Sequence, residues 1–177
     1  MKEKPLNKYI ILLRAINVGG KNLVPMKALV PVLEQQGFKN IKTILQTGNI
    51  VLESTNHPLE DIKSLISAHF GFMPETLCLG CEEFEQIVAQ NPYAEFEGKF
   101  VHLYFCNELP KPDLQRLEEL ARESEHYQIN GSICYLHAPE GIGRSKLVAG
   151  LEKGLGVAAT GRNLNTVNKI AALLKPL

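Results

Sequence analysis

The fold is decided by the stretch YIILLRAINVGGKNLVPMKALVPVLEQQGF, residues 9–38, in which a largely apolar run precedes a helical pattern. Residues 9–16 are apolar on both alternating faces, which is typical of a strand in the middle of a sheet. Pro25 stands where a first helical turn tolerates proline, and Gly37 ends the helical pattern. The apolar positions between them recur at helical spacing: Met26, Leu29, Val30 and Leu33. The stretch therefore predicts a central strand, a loop and an amphipathic helix.

The following segments complete one β-α-β-β-α-β cycle within residues 1–80. Short strands are predicted at residues 42–47 and 50–54, joined by Gly48-Asn49 as a two-residue hairpin turn. Pro58 opens a second helix, and residues 75–79 form a further strand. This order of elements is the ferredoxin-like motif, an antiparallel sheet with helices on one face.

A second cycle follows a short helix at residues 82–90. Strands are predicted at residues 100–106, 126–129 and 132–137, and helices at residues 112–122 and 145–154. The nearly constant displacement between matching elements indicates a duplicated topology. The second half is expected to end in a helix within TGRNLNTVNKIAALLK, with Asn163 or Asn165 as its N-cap, and to lack a final strand.

The sequence therefore predicts an α+β fold of two ferredoxin-like subdomains in tandem, at residues 1–80 and 81–177, the second with an extra C-terminal helix. A cleft between two such halves would be the natural place for a ligand. Lys plus Arg and Asp plus Glu each number 19, so the net charge is zero and an anion site must be a local cluster. The lack of a long apolar run and of a signal-like N-terminus favours a cytoplasmic protein without a membrane segment, with reduced cysteines.

Three loops combine glycine or asparagine with cations near a predicted helix start. In RAINVGGKN the residues of interest are Arg14, Asn17, Gly19, Gly20 and Lys21. In PEGIGRSKL they are Arg144, Ser145 and Lys146, and in TGRNLNTV they are Arg162, Asn163 and Asn165. Backbone N–H groups and cations at such places bind phosphate or carboxylate. The alternative for each loop is an ordinary turn or cap with solvated bases.

Other chemistry has weaker support in the sequence. Cys78 and Cys81 have the spacing of a redox pair, but the order of elements is not that of thioredoxin, and a zinc site would need a second pair. His102 and His137 could line a groove if their strands are neighbours, although a sheet-face histidine is more often structural. We expect no metal and no cofactor, and no pair of carboxylates is placed for acid–base catalysis.

Four stretches together resemble motifs of the domain of unknown function 1697 family of bacterial proteins, in the same order: YIILLRAINVGGKNLVPM, ILQTGNIVLES, PEGIGRSKL and TGRNLNTVNKIAALL. The family usually has Arg-Gly-Ile-Asn-Val-Gly, Ser-Gly-Asn and Arg-Asn-Trp where this chain has RAINVG, TGN and RNL. The resemblance implies two ferredoxin-like subdomains and no established activity. Its motifs add the hairpin residues Gln46, Thr47, Gly48 and Asn49, and Gly143, to the candidate site.

We therefore expect a binding module for an anionic ligand, either a nucleotide, a phosphorylated metabolite or RNA, held by the basic loops. One alternative is a transferase or hydrolase acting on a phosphorylated substrate, with Ser145, Lys146 or a groove histidine in the chemistry. Another is an interaction protein in which the motifs only lock the two halves together. The identity of any catalytic residue and the oligomeric state are left open by the sequence.

Overall fold

The computed structural model describes residues 2–175, which divide into two compact units. The first unit extends to Gln86 and takes in the chain again from Lys169, and the second unit is Ile87–Asn168. None of the helices in the described residues is long and apolar enough to cross a bilayer. Each unit is built around a four-stranded antiparallel sheet.

The first unit follows the predicted β-α-β-β-α-β order. Its elements are β1 (Asn7–Leu13), α1 (Met26–Gln35), β2 (Lys39–Ile44), β3 (Asn49–Ser54), α2 (Leu59–Phe70) and β4 (Thr76–Gly80), followed by α3 (Cys81–Ala89). The strands lie in the order β2-β3-β1-β4, so the apolar β1 is central. Alternate residues of β1 and β3 pack with the apolar sides of α1 and α2 in the core of this unit: Ile11, Leu13, Ile50, Leu52, Leu29, Leu33, Ile62 and Ile66.

The second unit repeats this topology. Its elements are β5 (Val101–Cys106), α4 (Leu114–Leu120), β6 (His126–Asn130), β7 (Ile133–His137), α5 (Lys146–Ala149), α6 (Leu151–Leu155) and β8 (Ala159–Asn163), followed by α7 (Leu164–Leu174). The strand order β6-β7-β5-β8 matches that of the first sheet element by element. Both faces of β5 are buried, and one of them packs against α4, α5 and α6. The fold class predicted from the sequence is confirmed.

Three local predictions are wrong. The connection between β2 and β3 is a four-residue loop, residues 45–48, because Ile44 pairs with Asn49 and the turn does not lie at Gly48-Asn49. The helix expected at residues 145–154 is broken at Gly150 into α5 and α6. The second half does end in a strand before its last helix, since Ala159–Asn163 pairs with β5.

The missed strand β8 has a sequence, ATGRN, that carries no alternating apolar pattern. Gly161 faces the ring of Tyr104 so closely that a Cβ atom at this position would lie 2.7 Å from Cε1. A glycine therefore stands here because a larger residue would collide with the neighbouring strand, not because the chain turns.

Candidate functional site

Asn17 organises the loop that leaves β1. Its side-chain Nδ2 donates to the carbonyl groups of Val24, at 3.0 Å, and Gln46, at 2.7 Å, while its Oδ1 accepts from Val24 N–H at 2.8 Å. Asn17 has a φ of +55°, a left-handed conformation that asparagine adopts more readily than most residues. A single side chain therefore ties this loop to itself and to the β2–β3 loop.

Gly19 and Gly20 form the tip of this loop. Lys21 N–H donates to Val18 C=O at 3.0 Å, and the two glycines between them have φ values of +59° and +73°. This is a tight turn whose conformation glycine adopts without steric cost. Because α1 begins only at Met26, the glycine N–H groups do not lie at the helix N-terminus. Gly19 and Gly20 therefore form an ordinary turn, and Lys21 is exposed beside them.

The β2–β3 loop packs against the same region of the first unit. Gln46 Oε1 accepts from the N–H of Met26, the first residue of α1, at 3.4 Å. Asn49 is buried and donates to Ile44 C=O at 2.9 Å and to Thr47 Oγ1 at 3.0 Å, which closes the loop. The candidate residues of the loop after β1 and of the β2–β3 loop are thus brought together at one end of the first sheet.

Arg14 lies at the same end, where β1 gives way to the loop. Its Nη1 atom is 3.1 Å from Oε2 of Glu75, and its backbone N–H donates to the Glu75 carbonyl at 3.0 Å. Sequence reasoning missed Glu75, although the antiparallel pairing of Leu13 with Thr76 places it beside Arg14. This contact could have been predicted only if the pairing of β1 with β4 had been known.

A surface cleft of about 290 Å³ adjoins this ion pair. Arg14 and Glu75 form its charged side, and about a third of the Arg14 side chain is exposed. The cleft is lined by Arg14, Ala15, Asn22, Phe72, Met73, Pro74 and Glu75. A cleft with an apolar wall and a few polar groups is the usual form of a small-molecule site.

Backbone strain concentrates around the cleft. Among the described residues, five other than glycine have positive φ, and four of them lie in the loop after β1 or in the β2–β3 loop: Ala15, Asn17, Asn22 and Leu45. Alanine and leucine have no local hydrogen bond with which to offset this conformation, which costs about 1 to 2 kcal/mol per residue. Such strain is found more often at functional sites than elsewhere.

Ser145 has a structural role in the second unit. Its hydroxyl donates to Oε2 of the buried Glu125 at 2.6 Å and accepts from Val148 N–H at 3.2 Å, which makes it the N-cap of this helix. Glu125 Oε1 also accepts from Arg122 N–H at 2.8 Å. Because both side chains are buried, this hydroxyl–carboxylate pair is closed to a substrate, and the Ser145 hydroxyl serves as a helix cap. No feature of the sequence indicated Glu125.

Arg144 and Lys146 flank Ser145 and are exposed. Their loop is held by Arg122, whose Nη2 donates to the Arg144 carbonyl at 2.8 Å. The helix that follows, α5, has only four residues, so its dipole offers little attraction to an anion. The argument from a helix N-terminus therefore does not apply to this loop.

The TGRNLNTV stretch covers the end of β8 and the start of α7, and β8 is at the edge of the second sheet opposite to β6 and to the Ser145–Glu125 pair. Arg162 is half-buried on β8, and its burial lowers the pKa of the guanidinium to about 10. Asn163 Oδ1 accepts from Thr166 N–H at 2.9 Å and so caps α7, as predicted. The Asn165 side chain packs on Gly98, where a Cβ atom would overlap its amide oxygen.

The cysteine and histidine candidates are not assembled into a site. Burial raises the pKa of the Cys78 thiol to about 12, and burial and Glu85 raise that of Cys81, so neither thiol is activated. β5 and β7 are neighbours, but His102 lies on the face that carries α4 to α6 and His137 on the other. Within residues 2–175, no three potential metal ligands come together.

Comparison with known proteins agrees with this architecture. No curated protein matches the chain. The structure of the conserved bacterial protein SP0830 from Streptococcus pneumoniae is similar, with a TM-score of 0.72 and 24% sequence identity over 97% of this chain and 100% of that chain. This likeness shows the fold. The family model of a protein of unknown function, DUF1697, matches residues 6–135, and the chain therefore belongs to the DUF1697 family.

Proposed function

We propose that this protein is a binding module for a small anionic ligand, such as a nucleotide or another phosphorylated metabolite, and that the cleft beside Arg14 is its site. The observation that carries the proposal is that one cleft of about 290 Å³ contains Arg14, an apolar wall and two loop residues with positive φ, Ala15 and Asn22. Arginine suits such a site because its planar guanidinium presents five N–H donors that match phosphate and carboxylate oxygens.

The contact between Arg14 and Glu75 gives this binding a defined mechanism. The Glu75 carboxylate lies 3.1 Å from the Arg14 guanidinium, and the Glu75 side chain is 59% exposed. An exposed ion pair of this kind contributes only about 0 to 1 kcal/mol, so an anion can replace the carboxylate at low cost. The phosphate of the ligand would then take the place of Glu75, and the rest of the ligand would lie against Phe72 and Met73.

A second role, in which the motif residues hold the loops, is favoured by Asn17. Its three hydrogen bonds are all internal to the first unit, so both the amide nitrogen and the amide oxygen already have protein partners. The two roles are compatible if Asn17 fixes the loops and Arg14 contacts the ligand. They predict different results for variants of the two residues.

The proposal is tested by titrating the protein with ATP and with AMP and following backbone amide shifts and heats of binding. We expect shifts at Asn22 and Phe72, an affinity at least tenfold lower in Arg14→Gln, and a higher affinity in Glu75→Gln because a competing anion is lost. Lys27→Gln, which removes an exposed cation from α1, is the matched control and leaves the affinity unchanged. Absence of saturable binding, or unchanged binding in Arg14→Gln, would overturn the proposal.

RNA is distinguished in the same experiments by a single-stranded oligonucleotide. Affinity for RNA falls steeply with salt, and the loss of one phosphate-contacting cation lowers the slope of log K against log salt by about 0.7. Tight, salt-dependent binding of the oligonucleotide, with no binding of ATP or AMP, would show that the partner is RNA and not a small ligand.

A further inference from the structure

A second cavity of the first unit lies far from the Arg14 cleft. Its volume is about 380 Å³, and we call it the lysine groove. It is lined by Lys8, Asn40, Lys42, Val51, Glu53, Ala172, Leu173 and Lys175. Lys8 is near the start of β1 and Arg14 follows its end, so six residues of extended chain, about 20 Å, separate the two cations. One small ligand cannot occupy both cavities.

Strand register explains why the lysines meet on this face. Lys8 pairs with Glu53 and Lys42 pairs with Val51, so all four side chains leave the sheet on the same side. The opposite side carries the core with α1 and α2. The end of α7, with Ala172, Leu173 and Lys175, completes the groove over the buried Val51.

A bulge shapes the edge of the groove. The pairing of β2 with β3 is irregular between Lys39 and Lys42, and Asn40 within it has a φ of +49°. Asn40 Nδ2 donates to Oε2 of Glu53 at 2.8 Å. Bulges often redirect side chains next to binding sites, and this one turns the Asn40 amide towards the Glu53 carboxylate.

The charges of the groove are not balanced. It holds three lysines and one carboxylate, and no ion pair joins Glu53 to any of these lysines within residues 2–175. Glu53 is instead satisfied by Asn40. The groove therefore carries a local excess of two positive charges in a chain whose net charge is zero.

Part of this excess could offset the C-terminus of α7, whose last turn contains no basic residue. The partial charge at a helix end is only about half an elementary charge and acts within the last turn. One lysine is enough for that purpose, and Lys175 directly follows the helix. Lys8 and Lys42, on strands, remain to be explained.

We propose that the lysine groove binds the phosphate group of a phosphomonoester. A phosphomonoester carries a charge of about −1.5 to −2 at neutral pH, which matches the local excess. Lysine ammonium groups bind phosphate as point charges, so Lys8, Lys42 and Lys175 can converge on the phosphate oxygens without a fixed fork geometry. Ala172 and Leu173 form an apolar surface for the organic part of the ligand. This site is separate from the one proposed at Arg14.

The test uses ribose 5-phosphate, with ribose as the uncharged control, and follows amide shifts and heats of binding. We expect shifts at Lys42 and Val51 with the phosphorylated sugar alone, weaker at high salt. Affinity falls at least tenfold in the double variant Lys8→Gln with Lys42→Gln and rises severalfold in Glu53→Gln, because repulsion of the phosphate is removed. Lys27→Gln leaves this affinity unchanged, and amide shifts at Asn22 and Phe72 report separately on any binding of the sugar phosphate at the Arg14 cleft.

Three results would overturn the proposal. One is the absence of saturable binding of ribose 5-phosphate. Another is a Glu53→Gln variant that binds no more tightly than the wild type. The third is a double lysine variant that unfolds at lower temperature but keeps its affinity, which would assign these lysines to the end of α7. Lys8 and Glu53 are half-buried and Lys42 is exposed, so the double lysine variant and Glu53→Gln are both expected to fold.

Discussion

The hydroxyl of Ser145 donates a hydrogen bond of 2.6 Å to the carboxylate of Glu125, and both side chains are buried. The two residues are distant in sequence, yet this contact joins the start of α5 to the segment that precedes β6. A buried carboxylate is costly unless its oxygens accept hydrogen bonds, and Arg122 N–H and Ser145 Oγ supply them. A serine in a basic, glycine-rich loop therefore serves here to stabilise the fold.

Replacing Ser145 by alanine should lower the free energy of unfolding by about 1 to 3 kcal/mol, because the helix loses its N-cap and the Glu125 carboxylate loses a hydrogen-bond donor. Urea denaturation measures the change. Ser64→Ala on the exposed side of α2 is the control and should shift stability by less than about 0.5 kcal/mol. A Ser145→Ala protein as stable as the wild type would contradict the assigned role.

Gly48 is expected to be far more sensitive to substitution than Gly19. Both have positive φ, but a Cβ atom on Gly48 would lie 2.7 Å from the Leu13 Cβ, whereas one on Gly19 would meet nothing within 4 Å. Gly48→Ala should therefore cost about 2 to 4 kcal/mol, from backbone strain plus overpacking, and Gly19→Ala only about 1 kcal/mol. Thermal or urea unfolding decides the order, and equal losses would contradict it.

Local sequence patterns were sufficient to predict the topology of the first unit and that of the second unit except for β8. The strands β1 and β5 were visible as continuous apolar runs because both of their faces are buried, and the helices α1 and α2 were visible because burial of one side imposes a period of 3.6 residues. β8 was missed because its pattern is set by a single close approach, that of Gly161 to Tyr104, and not by periodicity. A contact between neighbouring strands cannot be read from one strand alone.

The motifs indicated some residues that lie close together, but neither their roles nor most residues of the cleft beside Arg14. Asn17, Gln46 and Asn49 were singled out from motifs, and the structure places them in one network at the end of the first sheet. The partners of the charged residues, Glu75 for Arg14 and Glu125 for Ser145, depend on which strands pair and which loops meet. Those facts are tertiary, so the acidic residues carried no signal in the sequence.

Asn17→Ala should loosen the loop after β1 and the β2–β3 loop together. The variant loses three side-chain hydrogen bonds and must still adopt a φ of +55°, which alanine tolerates poorly. We expect a loss of about 2 to 3 kcal/mol in unfolding free energy and faster amide exchange at Val24. Asn22→Ala, which loses one long contact of 3.4 Å to Ala15 C=O, is the matched control with a smaller effect.

The stability of the protein should fall in mild acid because of His102. Its side chain is 8% exposed, and its Nδ1 has no hydrogen-bond partner within the described residues. Burial lowers the pKa of His102 below its ordinary value of 6.5. The folded protein thus binds fewer protons than the unfolded chain between the lowered pKa and about 6.5.

The contribution of His102 is therefore fully present above about pH 6.5 and is lost as the pH falls through the lowered pKa of the folded state. The free energy of unfolding of the wild type should be smaller at about pH 5.5 than at about pH 7.5, and His102→Leu should reduce this difference because leucine binds no proton. His57→Gln, at an exposed position, is the control and should retain it. If His102→Leu keeps the full pH dependence of the wild type, the acid sensitivity is due to protonation of other groups. His137 is then the first to examine, because burial and His126 lower its pKa.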